Sequence, residues 1–169
     1  MSPLPDGVTI RRATPDDAPA LADLHLDGWD DAYTGLMDQS ILDERRANLT
    51  RRIERWREIL AEPHGNLLAV GPEGLVGFAG AGPGRDNDVD LDLELMALYV
   101  RAAWWGTGIG YALLREAIGD RAAYLWVLDG NDRAMAFYRR HGFSDEGGRK
   151  PDLDTGAVEI RMARGHTAQ

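Results

Sequence analysis

Gly106, Gly108 and Gly110, set on alternate positions, are the residues of this chain best suited to hold a ligand. They follow an apolar run ending in Leu98-Tyr99-Val100 and lead straight into the amphipathic stretch Tyr111-Ala112-Leu113-Leu114, the order of a strand, a turn and a helix. Glycine lets the backbone bend and leaves no side chain to hold a ligand away. The first N–H groups of a helix have no partner inside it, and its dipole adds partial positive charge there. Such a helix start is a ready site for a phosphate or pyrophosphate. Two familiar phosphate sites fail on spacing. A dinucleotide fingerprint G-x-G-x-x-G would put glycine where Tyr111 stands. A P-loop needs a lysine after its last glycine, and the only lysine here is Lys150, far downstream.

A second constellation follows the short apolar strand Tyr124-Leu125-Trp126-Val127. It reads Asn131-Asp132-Arg133-Ala134-Met135-Ala136-Phe137-Tyr138-Arg139-Arg140-His141-Gly142-Phe143. Asn131 suits a helix N-cap and Gly142 a left-handed C-cap, with Arg139, Arg140 and His141 in the last turn where the dipole favours cations. Asn131 and Tyr138 lie seven residues apart, about two turns, and share one face. A phenol with a reference pKa near ~10 is a proton donor at neutral pH, not a base. The alternative for Tyr138 is a half-buried aromatic with its hydroxyl in water.

Taken in order, these segments resemble the GNAT superfamily of N-acetyltransferases. Its cofactor motif is a strand ending Leu-Tyr-Val, a short connection, [Q/R]-x-x-G-x-[G/A] and a helix. Trp105-Gly106-Thr107-Gly108-Ile109-Gly110 holds that place, with Trp105 where Gln or Arg is usual and Ala102 where proline is usual. The run Asn131 to Phe143 matches the second motif, N-x-x-A-x-x-[F/L]-Y-x-x-x-G-F, without a break. The opening from Ile10 to His25, with Trp29, Ala32-Tyr33 and Gly35-Leu36, is similar to the start of a GNAT subgroup whose acceptors are mostly undefined. The resemblance covers about residues 8–162.

That resemblance implies acetyl-CoA as co-substrate. The turn from Trp105 through Gly106, Thr107, Gly108, Ile109 and Gly110 to Tyr111 would take the pyrophosphate on backbone amides. Leu98, Tyr99 and Val100 would pair with the pantetheine amides like an added strand. A strand N–H of this stretch would serve as oxyanion donor, and splaying of this strand from the next would open the slot. Asn131 would approach the pantetheine arm, and Tyr138 would protonate the leaving thiolate. An alkyl ammonium with a pKa near ~10.4 must lose a proton before attack. Glu94, five residues before Tyr99, is the first candidate base and Asp92 the second; the alternative is that Glu94 is one more solvated carboxylate beside Asp88, Asp90 and Asp92. With no cysteine, a route through an acyl-cysteine is closed, and direct transfer in a ternary complex is expected. The runner-up is a non-catalytic acyl-CoA-binding regulatory module, which would bind without releasing thiol.

The acceptor is an unidentified small-molecule or peptide amine. Trp29 and Tyr33, with His25 a turn back, either wall its pocket or belong to the core. The acidic run Asp86 to Asp92 either draws a cationic amine or is a solvated loop. A net charge of −9 argues against nucleic acid. No stretch is long enough for a membrane span, and no signal-peptide pattern opens the chain, so a cytoplasmic protein is expected. The four histidines show no ligand spacing, so no metal is expected. Homodimers are frequent in the family.

The elements that must hold these groups make one α/β domain of 169 residues, a mixed, mostly antiparallel sheet of six or seven strands flanked by about four helices. Val8 to Ala13 alternates as a first strand, and Thr14-Pro15-Asp16-Asp17 starts a helix. Arg45 to Leu60 reads as one helix. Asn66 to Val70 and Leu75 to Ala81 read as a hairpin, Asp92 to Val100 as a long strand. Phe143 to Gly147, a turn near Asp154-Thr155-Gly156 and a strand Ala157 to Met162 close the chain.

Overall fold

The computed structural model describes residues 4–152 and 156–165. Seven strands form one sheet: β1 (Thr9–Arg12), β2 (Asn66–Gly71), β3 (Gly74–Pro83), β4 (Leu93–Val100), β5 (Ala123–Leu128), β6 (Ser144–Pro151) and β7 (Val158–Arg164). Their order is β1-β2-β3-β4-β5-β7-β6. Each adjacent pair is antiparallel except β4 and β5, which run parallel. The helices are α1 (Ala18–Tyr33), α2 (Gln39–Ala47), α3 (Leu49–Ala61), α4 (Ile109–Ile118) and α5 (Asp132–Arg140).

Two layers of helix cover the sheet. On one face, Leu21 and Leu24 of α1 and Ile53 and Trp56 of α3 pack on Leu68, Phe78, Ala97 and Tyr99. On the other, Ile109 and Leu113 of α4 meet Ala69 and Ala79, while Met135 and Tyr138 of α5 meet Leu125, Val127, Ile160 and Met162. Alternation along each strand sends successive side chains to these two faces.

The expected sheet is present, but the helix count changes from about four to five among the described residues. The stretch read as one helix from Arg45 to Leu60 is two, because Asn48 leaves helical geometry (φ −98°, ψ 29°). Its side chain donates to the Glu44 carbonyl at 3.1 Å, and its own carbonyl accepts from Arg52 N–H at 3.1 Å, so one asparagine closes α2 and opens α3. Asparagine competes with the helix for its own hydrogen bonds in this way. The helix start expected at Thr14 is a single 3-10 turn, Pro15–Asp17, before α1. Of the turn expected near 154–156, Asp154 and Thr155 lie outside the described residues.

Candidate active site

The site begins where β4 and β5 part. They pair only at Glu94 with Tyr124 and Leu95 with Leu125; beyond that point β4 continues to Val100 and β5 to Leu128 without bonding to each other. The slot expected from the sequence is therefore open. At the same level β4 carries a bulge: Leu95 faces Ala81 and Ala97 faces Gly80, which leaves Met96 as the extra residue. Bulges re-aim the backbone beside active sites, and Met96 is accordingly exposed.

The gap is a cavity of about 210 Å³. Leu98, Tyr99 and Val100 line one side; Trp105, Gly106, Gly108, Gly110 and Tyr111 line the turn; Asn131 and Tyr138 line the far side. Thr107 and Ile109 do not reach the cavity. The Thr107 hydroxyl donates to the Trp104 carbonyl at 2.6 Å and shapes the turn, and Ile109 is fully buried beneath the first turn of α4. Gly106 (φ 76°) and Gly108 (φ 93°) adopt left-handed conformations closed to most side chains. Ala112 N–H makes the first α4 bond, to the Gly108 carbonyl at 3.0 Å. The N–H groups of Ile109, Gly110 and Tyr111 thus have no partner within the helix.

Trp105, which replaces the usual Gln or Arg, donates its indole N–H to the Val100 carbonyl at 2.8 Å. The Arg133 guanidinium lies 3.5 Å from its ring centroid. Arg133 lines the cavity and was not legible as a site residue. Its signal in the sequence was its place in the first turn of α5, two residues after Asn131. Burial lowers its pKa, with Tyr138, Asp31 and Tyr33 opposing.

Asn131 caps α5, its side chain accepting from Ala134 N–H at 3.3 Å. Tyr138 is buried to 8% exposure and packs edge-on against Phe137 and Phe143. Burial pushes its phenol well above the ordinary range; Tyr33 adds to the rise and Arg133 opposes it. The group keeps its proton throughout the physiological range. Tyr99 is shifted the same way by burial, then by Tyr33 and Tyr138. Its ring sits so close to α1 that a Cβ on Gly28 would approach it to 2.9 Å.

Of the three α1 residues considered for an acceptor pocket, Tyr33 lines the cavity. Trp29 packs behind it at 4.7 Å between ring centroids. His25 belongs to an aromatic cage of Trp29, Trp56, Phe78 and Tyr99. Burial, then the nearby Arg45 and Arg52, lowers its pKa to about 3, so it is a neutral core residue.

Glu94 lies at the fork but outside the cavity lining, and is 1% exposed. It accepts from Arg85 through the backbone N–H (3.1 Å), Nε (3.1 Å) and Nη2 (2.6 Å), and from the Tyr124 hydroxyl (3.1 Å). Burial would raise its pKa; the Arg85 contacts outweigh burial and lower it. The acidic loop is likewise engaged. Asp86 accepts from the Trp126 indole (3.0 Å) and from Arg161 (2.9 Å), and Asp88 accepts from Arg161 (2.7 Å). Glu146 takes the other side of the same guanidinium at 2.6 Å. The loop is a strut tied to β7, which neither sequence alternative anticipated. Among the described residues no cluster of His, Asp and Glu could hold a metal ion. No helix among them is long and apolar enough to cross a membrane.

The site thus combines an open parallel fork, a glycine turn at a helix start and a buried tyrosine on the next helix. Residues 27–143 match the acetyltransferase (GNAT) family, and the chain belongs to it. A Mycobacterium tuberculosis protein named as a probable N-acetyltransferase is 28% identical over 155 residues, covering 85% of this chain and 83% of its own. An acetyltransferase structure from Corynebacterium glutamicum superposes with a TM-score of 0.70 at 26% identity, covering 96% of this chain and 98% of that one. PaiA N-acetyltransferase from Thermoplasma acidophilum, solved with coenzyme A, shares the fold with a TM-score of 0.68 at 22% identity, over 94% of this chain and 99% of its own. The protein is an acetyltransferase of this family.

Proposed function

We propose that the protein moves an acetyl group from acetyl-CoA to a primary amine by direct attack in a ternary complex. The observation that carries this reading is the fork itself. Two paired residues are followed by two diverging strands, so the β4 edge is left open to an extended pantetheine arm beside Tyr138. The rest of the cavity fits the same ligand. Free N–H groups at the start of α4 suit the pyrophosphate, and Arg133 supplies a cation over Trp105. The relative from Thermoplasma acidophilum holds coenzyme A on this fold.

In this reading Tyr138, protonated and buried, gives its proton to the departing thiolate. A β4 N–H beside the bulge at Met96 stabilises the oxyanion. Glu94 takes the amine proton only when Arg85, whose side chain is 63% exposed, swings off it. The absence of cysteine leaves no thiol for an acyl-enzyme.

Calorimetric titration with acetyl-CoA, against ATP and NAD as controls, tests the first half. One-to-one binding of acetyl-CoA alone is expected; failure to bind sinks the reading. Thiol release across a panel of amines tests the second half, and binding without release would leave a cofactor-sensing module instead. In Glu94→Gln, a lost base shows as a reduced kcat at unchanged melting temperature, a lost strut as the reverse.

A further inference from the structure

Three strands bring together, on the face of the sheet away from α5, groups that stand far apart in the chain. Trp126 of β5 is part of the cavity wall. The Lys150 ammonium of β6 lies over that indole, 4.1 Å from the ring centroid. Glu159 of β7 is the cross-strand partner of Lys150, with its carboxylate 3.8 Å from the same nitrogen. An aromatic face and a carboxylate are what an alkyl ammonium needs in order to be held and oriented. Lys150 is the single lysine of the chain, and it rests on a residue of the wall around the proposed acyl group.

Glu159 differs from Glu94 in what it has left to give. Glu94 is 1% exposed and bound by Arg85 and Tyr124; Glu159 is 26% exposed at its side chain and faces Lys150. Burial raises its pKa; Asp152 and Glu94 push the same way, while Lys150 and Arg85 oppose. A half-buried carboxylate whose charged form is disfavoured accepts a proton more readily than a surface one.

We propose that Lys150 is an internal acyl acceptor: with acetyl-CoA in the cavity, the protein acetylates its own Lys150. This inference rests on the acetyltransferase reading above. The step balances without a further reactant. Glu159 takes one proton from the Lys150 ammonium, and the freed lone pair attacks the thioester carbonyl carbon. The C–N bond forms and the C–S bond breaks. Tyr138 protonates the thiolate and recovers its proton from the amide nitrogen, and Glu159 returns its own to water. The products are acetyl-lysine and the free thiol of coenzyme A.

The test is to incubate the purified full chain with acetyl-CoA, follow intact mass and map the modified peptide. Acetyl-CoA binding to each variant is measured in parallel by calorimetry. One acetyl group on Lys150 is expected, with no modification at that position in Lys150→Arg. Glu159→Gln and Tyr138→Phe should each slow the modification about a hundredfold while still binding acetyl-CoA, which shows that they are folded. Heat-denatured chain should stay unmodified. Binding of acetyl-CoA with Lys150 left free, or with the acetyl group only on the α-amine, overturns the proposal and leaves the acetyltransferase reading standing. Modification at the wild-type rate in both variants and in denatured chain is plain chemical acylation and also overturns it. Absence of acetyl-CoA binding removes both readings together.

Discussion

The two sides of the cleft are built from different materials. On the side proposed for the cofactor the wall is mostly main chain, with Arg133 as its cation: the open edge of β4, the turn at Gly106 and Gly108, and the first N–H groups of α4. On the opposite side, behind the lining, the structure is tied by charge: Arg85 to Glu94, Lys150 to Glu159, and Arg161 to Asp86, Asp88 and Glu146. In the proposed reading the ligand is held by backbone, and a backbone site tolerates a change of side chain such as Trp105 where Gln or Arg is usual. An ion-paired site fails when one partner goes, because the remaining charge is left buried. In the proposed reading the first side is suited to one unvarying ligand, and the second to discrimination.

The strongest way to break this contrast is Arg161→Met. The guanidinium is 4% exposed and holds three carboxylates, so its loss should cost about 3 kcal/mol, on the order of 10 °C in Tm. Acetyl-CoA affinity measured on the folded variant should hardly change. An equal loss of affinity would mean that the two sides are not separable.

Tyr138→Phe comes next, with kcat lower by about a hundredfold, roughly 2.7 kcal/mol of barrier, and an unchanged Kd for acetyl-CoA. A changed Kd with kcat preserved would reduce the tyrosine to a packing residue. Gly108→Ala acts on the other side. Its left-handed backbone (φ 93°) should cost about 1–2 kcal/mol, and acetyl-CoA binding should weaken about tenfold with the acceptor KM unmoved.

At neutral pH the smallest effect lies outside both walls. His25 has a folded pKa of about 3 against an ordinary 6.5. Between those values the unfolded chain binds a proton that the folded chain refuses, so stability falls as pH drops through that window. His25→Phe should flatten the loss of Tm between about pH 6 and pH 4. A slope identical to that of the wild type would show that the cage does not hold the imidazole neutral.

The same contrast explains what could be read from the sequence. The glycine turn and the run Asn131 to Phe143 are contiguous, and their spacing alone places them at helix starts. The strands alternate cleanly enough to give the sheet. Asn48 was missed as a helix break because an asparagine within an otherwise helical pattern reads as one weak residue. Arg161 was missed because its partners Asp86 and Asp88 lie 75 and 73 residues away, and nothing local marks them as a pair. For the same reason the acidic run read as either a lure for cations or a solvated loop, when it is a brace. Arg85 hides in the same way: its tie to Glu94 forms only once the loop folds back against Tyr124.

The two-residue parallel pairing of β4 and β5 bears on more than the slot it opens. Among the described residues it is the only ladder joining the antiparallel block β1–β4 to the block β5–β7–β6. The sheet is therefore two pleated panels joined by a short stitch, with α4 and α5 laid across the back. A ligand that lies along the free edge of β4 adds hydrogen bonds where the stitch stops, lengthening the seam from one side. Occupancy then becomes a mechanical property of the whole molecule. The filled protein should exchange its β4 and β5 amides more slowly and unfold as one unit, and the empty one should loosen first at its seam.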